Sequence, residues 1–297
     1  MKLKLGIAPI AWSNDDMPEL GGDTPIETCL NEASSAGFSG IELGGKFPRN
    51  SGIIEFLLTK YDLTLPGGWY GSNLREKNVE EAWLSMQDQI ELLQQLNSSV
   101  FVFGDVSGSI QGNASISLSK RPQLNQNEWM GYCKKISELS NRLDDVGLPM
   151  SYHEHMGTII QSEEDVDRFI DKTNDKTYLL YDTGHLLFAQ ANYERILKNY
   201  IDRINHIHCK DIRKNILEKS LNKDLSFRNS FLDGVFTVPG DGCIDYTPLM
   251  KILFENKYSD WLVIEAEQDP AKANPFEYAK IGYKNLSSIL SGIGYEI

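Results

Sequence analysis

The sequence predicts an α/β protein, a closed (β/α)8 barrel of the TIM type. Eight short apolar runs alternate with amphipathic stretches, and strands separated by helices pair in parallel through right-handed crossovers. Eight such units in 297 residues match the size of one barrel. The turn after the first run, Ala8-Pro9-Ile10-Ala11-Trp12, lacks the glycine fingerprint with which an open doubly wound sheet announces a dinucleotide loop. The chain reads as a single domain over residues 1–297, with no internal repeat and no low-complexity linker.

The elements follow in order. The first strand is 3–7. A helix starts at Thr24, where Thr24-Pro25-Ile26-Glu27 has the form of a capping box with proline at the first helical position. The second strand is 40–43 and its helix 52–61. The third strand covers 63–65, with an extension over 67–69. The helix 79–96 places Trp83, Met86, Ile90, Leu93 and Leu96 close to a 3.6-residue period, one face to bury. The fourth strand is 100–103. A polar loop runs to Gln126, and the helix 128–146 ends at Gly147 as a C-cap. The fifth strand is 150–153, and Ser162 caps a helix to Lys172. The sixth strand is 178–181, with a helix over 193–200. The seventh is 204–209. A charged, irregular segment, 213–233, interrupts the pattern; it is either a lid or a subunit contact, the second compatible with a homo-oligomer. The helix 245–256, the eighth strand 261–265 and the closing helix 276–290 complete the count.

Composition removes several function classes. There are 29 Lys plus Arg against 42 Asp plus Glu, a net charge of −13, and no basic run to displace counterions from a phosphate backbone, so nucleic acid is not expected as a partner. No stretch approaches 18 apolar residues, so no membrane span is expected. The start, Met1-Lys2-Leu3-Lys4-Leu5-Gly6-Ile7, passes into a strand without the apolar region of a signal peptide, which points to the cytoplasm. Cys29, Cys133, Cys209 and Cys243 are far apart, with no C-x-x-C pair, and are expected to stay reduced.

A barrel builds its active site at the C-terminal ends of its strands. Ionisable residues gather where the apolar runs stop: Tyr152-His153-Glu154-His155, Tyr181-Asp182-Thr183-Gly184-His185, His206-Ile207-His208-Cys209-Lys210-Asp211 and Ile264-Glu265-Ala266-Glu267. All five histidines lie on three consecutive strand ends. Residues i and i+2 share a face of a strand, so one consistent set is His153, Asp182, His208 and Glu265, one from each of four adjacent strands. Two imidazoles and two carboxylates suit one borderline divalent ion such as Mn, Co, Fe or Zn. Glu154 takes the opposite face of the fifth strand from His153 and His155. His206 reads equally as a hydrogen-bonded core histidine, and Tyr152, Tyr181 and Trp261 as packing. Glu267 falls in the outer shell or at the rim. Val238-Pro239-Gly240-Asp241-Gly242 is either a tight turn or a loop in which glycines let backbone and Asp241 approach a polyhydroxy ligand. Trp12 and Trp69 are either an aromatic wall for a ring or scattered core aromatics.

These strings, with Gly234-Val235-Phe236-Thr237-Val238-Pro239-Gly240-Asp241-Gly242, Trp261-Leu262-Val263-Ile264-Glu265-Ala266-Glu267-Gln268-Asp269-Pro270 and the opening Gly6 to Asp16, resemble the inosose dehydratases of myo-inositol catabolism, within the xylose-isomerase-like barrels. The resemblance implies loss of water from 2-keto-myo-inositol (scyllo-inosose), a cyclic polyol ketone, to a trihydroxycyclohexane-1,2-dione. It implies Mn or Co, with glutathione as a further requirement, although no glutathione site is visible in the sequence. The wider superfamily holds one metal through Glu, Asp, His and Glu on the fifth to eighth strands. Asp182, His208 and Glu265 fall on the last three, and His153 stands where the first Glu is usual, which leaves Glu154 as the fallback ligand on the fifth strand. That Glu is one of the two acid/base residues of the epimerases, so the departure argues against two-base epimerisation. An isomerase or epimerase on the same barrel is the rival reading. An endonuclease needs three metals and a basic groove, which −13 does not offer. For the dehydration, Glu265 is expected as ligand and base. His185 is the first choice for the acid, with Lys210 and His155 behind it.

Overall fold

The computed structural model describes residues 1–15 and 17–297, so Asp16, the last residue of the opening string, lies outside it. In chain order the strands are β1 (Lys4–Ile7), β2 (Gly40–Ile41), β3 (Trp69–Ser72), β4 (Phe101–Asp105), β5 (Met150–His153), β6 (Tyr178–Asp182), β7 (Ile204–Cys209), β8 (Asp211–Ile212), β9 (Phe236–Thr237) and β10 (Trp261–Ile264). Eight form one parallel sheet in the order β2-β1-β10-β7-β6-β5-β4-β3. The two outer strands are joined through the segment before β3, where Gly40 bridges Thr64 and Leu43 bridges Gly68. The ring is therefore the (β/α)8 barrel that the alternation predicts, and β8 and β9 form a small antiparallel pair at its rim.

The helices sit outside the ring because each buries one stripe. Val79–Gln95 buries Ala82, Met86, Ile90 and Leu93, and its start is fixed by a reciprocal cap between Asn78 and Glu81. Ser162 caps Glu163–Lys172 in the same way, with Asp165. Among the described residues no helix is long and apolar enough to cross a membrane.

Local expectations fail in three places. The capping box at Thr24 does not form: the helix is Ile26–Ala36 and Pro25 occupies the cap with no side-chain bond. The third strand runs Trp69–Ser72, and its expected forerunner at 63–65 makes only a bridge. The segment 213–233 is not irregular. It forms two short helices, Lys214–Asn222 and Phe227–Leu232. Their Leu217 and Phe227 pack with Met156, Phe188 and Phe236 in an apolar cap beside the strand ends.

Candidate active site

Strand register brings the strand-end residues together. Asp182 on β6 pairs with His208 on β7, and His208 pairs with Val263 on β10, two residues before Glu265. His153 pairs with Leu180, two residues before Asp182. Alternation turns all four side chains inward. One nitrogen or oxygen from each of His153, Asp182, His208 and Glu265 lies within 4.8 Å of the others, and all four residues are buried. His208 Nδ1 is 3.1 Å from Glu265 Oε2 and 3.6 Å from Asp182 Oδ2, and His153 Nε2 is 3.8 Å from Asp182 Oδ2. Glu154 is not part of this group. Its Oε2 lies 3.8 Å from Nδ1 of His153, and both its oxygens are buried without a hydrogen-bond partner.

The backbone sets how these groups are presented. His153 Nδ1 is bonded to the carbonyl oxygen of Glu154, which leaves Nε2 facing Asp182. Asp182 Oδ1 accepts from the amides of Gly184 at 2.8 Å and His185 at 2.9 Å, capping the short helix Thr183–Phe188. Its Oδ2 and the Nδ1 of His208 are buried and make no hydrogen bond.

Lys210, fully buried, ties this group to a second one. Its Nζ donates to Glu265 Oε1 at 2.6 Å, to Glu267 Oε1 at 2.7 Å and to His185 Nε2 at 2.8 Å, which uses its three protons. Gly184 makes room for the stem: a Cβ there would sit 2.6 Å from Lys210 Cγ. His155, His185 and Glu267 form a second cluster, with His155 Nε2 3.9 Å and His185 Nε2 3.4 Å from Glu267 Oε1.

Charge compensation outweighs burial at three of these groups. Burial alone would raise the carboxyls of Asp182 and Glu265. Lys210, with His185 beside the first and His208 beside the second, holds both well below the usual range. Burial would lower His208, but the carboxylates of Glu265 and Glu42 push it well up. Burial dominates at His153, which falls to about 3, and at His185, which is also lowered. Glu154 is pushed well up by burial and then by Asp182.

A cavity of about 640 Å³, open to solvent, reaches this centre. Glu265, Glu267, His153, His155, His208 and Trp69 line it. The Trp69 ring meets His153 edge-on, with centroids 5.7 Å apart. His185 and Lys210, expected as proton carriers, do not line the cavity but stand behind Glu265 and Glu267. Trp12 and Asp241, expected at the substrate, are elsewhere. Trp12 lines a neighbouring cavity, since the turn Pro9–Ala11 aims its indole at Glu32, to which Nε1 donates at 2.6 Å. Asp241 is exposed and accepts from Thr237 at 2.6 Å and Arg213 at 2.8 Å, closing the 238–242 segment as a turn.

The sequence reading missed Glu42, which also lines the cavity. It stands one residue past β2 and reaches across the barrel to His206 at 2.8 Å and His208 at 3.2 Å. Burial works against its charge, but His208 and the bond from His206 hold the carboxyl down to about 2. A carboxylate interrupting the apolar run 40–43 is the same signal that singled out the other strand ends. His206 is fully buried.

A family model for the xylose isomerase-like TIM barrel matches residues 30–288. The rhizopine catabolism protein MocC of Rhizobium meliloti is 40% identical over 297 residues, 100% of this chain and 91% of its own. An inosose dehydratase of Geobacillus thermodenitrificans is 41% identical over 280 residues, 94% of each chain. Among solved structures, the IOLI protein with a bound zinc atom superposes with a TM-score of 0.70 at 16% identity, covering 98% of this chain and 99% of that one, a likeness of fold.

Proposed function

Because this chain belongs to the inosose dehydratase family of xylose isomerase-like TIM barrels, we propose that it is a metal-dependent hydro-lyase. It removes water from 2-keto-myo-inositol to give a trihydroxycyclohexane-1,2-dione. One observation carries the metal part. Four buried side chains bring one donor atom each within 4.8 Å of the others, and two of those residues keep a buried atom, Asp182 Oδ2 and His208 Nδ1, without a hydrogen-bond partner. Orphaned polar atoms are costly in a core, and here they face one another. Two imidazoles and two carboxylates fit a borderline divalent ion, Mn or Co in the family's usage.

His153, Asp182, His208 and Glu265 would hold that ion. When bound it supplies Lewis acidity to a ketone oxygen. The chain's own groups move the protons. Glu265 faces the cavity and stays ionised beside Lys210, so it accepts the proton from the carbon next to the ketone. The electron pair left behind forms the carbon–carbon double bond as the neighbouring C–O bond breaks. His155, in its doubly protonated imidazolium form, delivers the Nε2 proton to the departing hydroxyl, which leaves as water, and is left neutral with Nδ1 still protonated. Its Nδ1 is engaged by the carbonyl of Met156 at 2.8 Å, so Nε2 is the nitrogen presented to the cavity and to Glu267. The enol product then tautomerises to the diketone. Lys210 and His185 act from behind, holding Glu265 and Glu267. Trp69 provides an apolar wall for the ring.

The test is turnover of scyllo-inosose, followed by the ultraviolet absorbance of the diketone and its enol, after chelation and again after Mn or Co is restored. Activity lost on chelation and regained with the ion supports the reading. An isomeric inosose without diketone absorbance would assign an isomerase or epimerase instead. Full activity in the chelated protein would remove the metal from the account.

A further inference from the structure

We propose that Glu42 is a positioning residue that fixes the tautomer and orientation of His208 for metal ligation; this rests on the metal reading above. His208 presents its two nitrogens to different neighbours. Nε2 meets Glu42 Oε1 at 3.2 Å, while Nδ1 faces Glu265 and Asp182. A carboxylate only accepts, so Nε2 must carry hydrogen, and Nδ1 is the nitrogen left to give a lone pair. Metal-binding imidazoles are commonly held this way through their second nitrogen.

Glu42 is itself anchored. His206 lies two residues before His208 on the same face of β7, and its Nε2 meets the same Oε1 at 2.8 Å. Two imidazole N–H groups therefore converge on one carboxylate oxygen from across the barrel. This also decides the role of the Glu42, His206 and His208 cluster, whose polar atoms are close enough to grip a cation. Both Nε2 atoms donate to Glu42, so a cation there would have to displace two hydrogen bonds. The group is a clamp on His208, not a second metal site. The arrangement differs from that at His153, whose second nitrogen is bonded to a main-chain carbonyl that no substitution removes. At His208 the clamp is a side chain, so its contribution can be measured.

The experiment titrates Mn²⁺ and Co²⁺ into the purified full chain and into Glu42→Gln, Glu42→Leu and His206→Gln. It reads stoichiometry, dissociation constant and the visible spectrum of the Co²⁺ form, with thermal melting of the metal-free proteins as the check on folding. The wild type is expected to take up one equivalent. Glu42→Leu raises the dissociation constant about 10- to 100-fold, the range for loss of such a partner, and changes the Co²⁺ spectrum. Glu42→Gln keeps an accepting oxygen, is close to isosteric and raises it less. Weaker binding by Glu42→Gln supports the proposal even if Glu42→Leu does not fold. Wild-type dissociation constants in both Glu42 variants overturn it, as does unchanged binding with a fall in kcat, which would put Glu42 on the substrate. A second equivalent in the wild type, lost in His206→Gln, also overturns it. A wild type that binds no ion overturns the metal reading first and this proposal with it.

Discussion

Lys210 Nζ lies 2.6 Å from Glu265 Oε1, and the lysine is wholly removed from solvent. It is the one ammonium group among three carboxylates, since Asp182 and Glu267 lie at 3.5 Å and 2.7 Å. Their charges raise it further above its usual range, against burial. Removing one partner of a buried ion pair costs about 3–5 kcal/mol, because it strands the other charge. Lys210→Met is therefore expected to lower the melting temperature steeply in metal-free buffer. The loss should be smaller with saturating Mn²⁺, which brings positive charge back to the cluster. Calorimetry with and without the ion checks this, and an equal loss in both conditions would refute it.

Asp182 divides its two oxygens between tasks. Oδ1 caps the helix Thr183–Phe188 and Oδ2 has no hydrogen bond. Asp182→Asn keeps an accepting oxygen for the cap but loses the anion 3.5 Å from Lys210, so it should fold with lower metal-free stability than the wild type and fail to be stabilised by Mn²⁺ or Co²⁺. The wild type at 100 times the dissociation constant should gain about 2.7 kcal/mol. Asp182→Ala loses the cap as well, about 1 kcal/mol more. Urea unfolding of the three proteins, with and without the ion, separates these effects.

The barrel and the four-residue centre could be read from the sequence for the same reason. Strand side chains alternate with a period of two, and parallel neighbours in register carry that alternation around the ring. Asp182 opposite His208, and His208 opposite Val263, follow from that rule. Glu42 escaped because its partners are 164 and 166 residues away across the barrel, and β2 is only two residues long. The helices inside 213–233 span nine and six residues, too short for a hydrophobic period to declare itself. Trp12 was misplaced because a single turn of 3-10 helix after β1 rotates it away from the barrel mouth.

Asp211 offers a pH test away from the four-residue cluster. It is fully buried; its Oδ1 accepts from Ile212 at 2.7 Å and Ile244 at 3.0 Å, while Oδ2 has no partner. Burial raises its carboxyl to about 6, despite those backbone bonds. Between pH 4 and 6 the folded chain therefore holds a proton that the unfolded chain has released. Stability falls as pH rises through that window, by roughly 1.4 kcal/mol per pH unit at most from this one group. Asp211→Asn removes the titration. Its stability relative to wild type should rise from pH 4 to 6 and then level off, read by urea unfolding at each pH. A difference that does not change with pH would contradict this.

The two histidines nearest Glu267 should separate cleanly in kinetics. His155 lines the cavity and presents Nε2 to it, whereas His185 is enclosed between Lys210 at 2.8 Å and Phe236, whose ring centroid is 5.2 Å away. A positioned general acid is worth about 10²- to 10⁴-fold in rate. His155→Gln should lose that in kcat while metal content and melting temperature stay near wild type. His185→Gln should cost less in kcat but more in stability, because Lys210 loses one of its three acceptors. Steady-state kinetics on scyllo-inosose, with metal analysis of each purified variant, decide between them. A larger kcat loss in His185→Gln, with the fold intact, would move the proton transfer to the buried histidine.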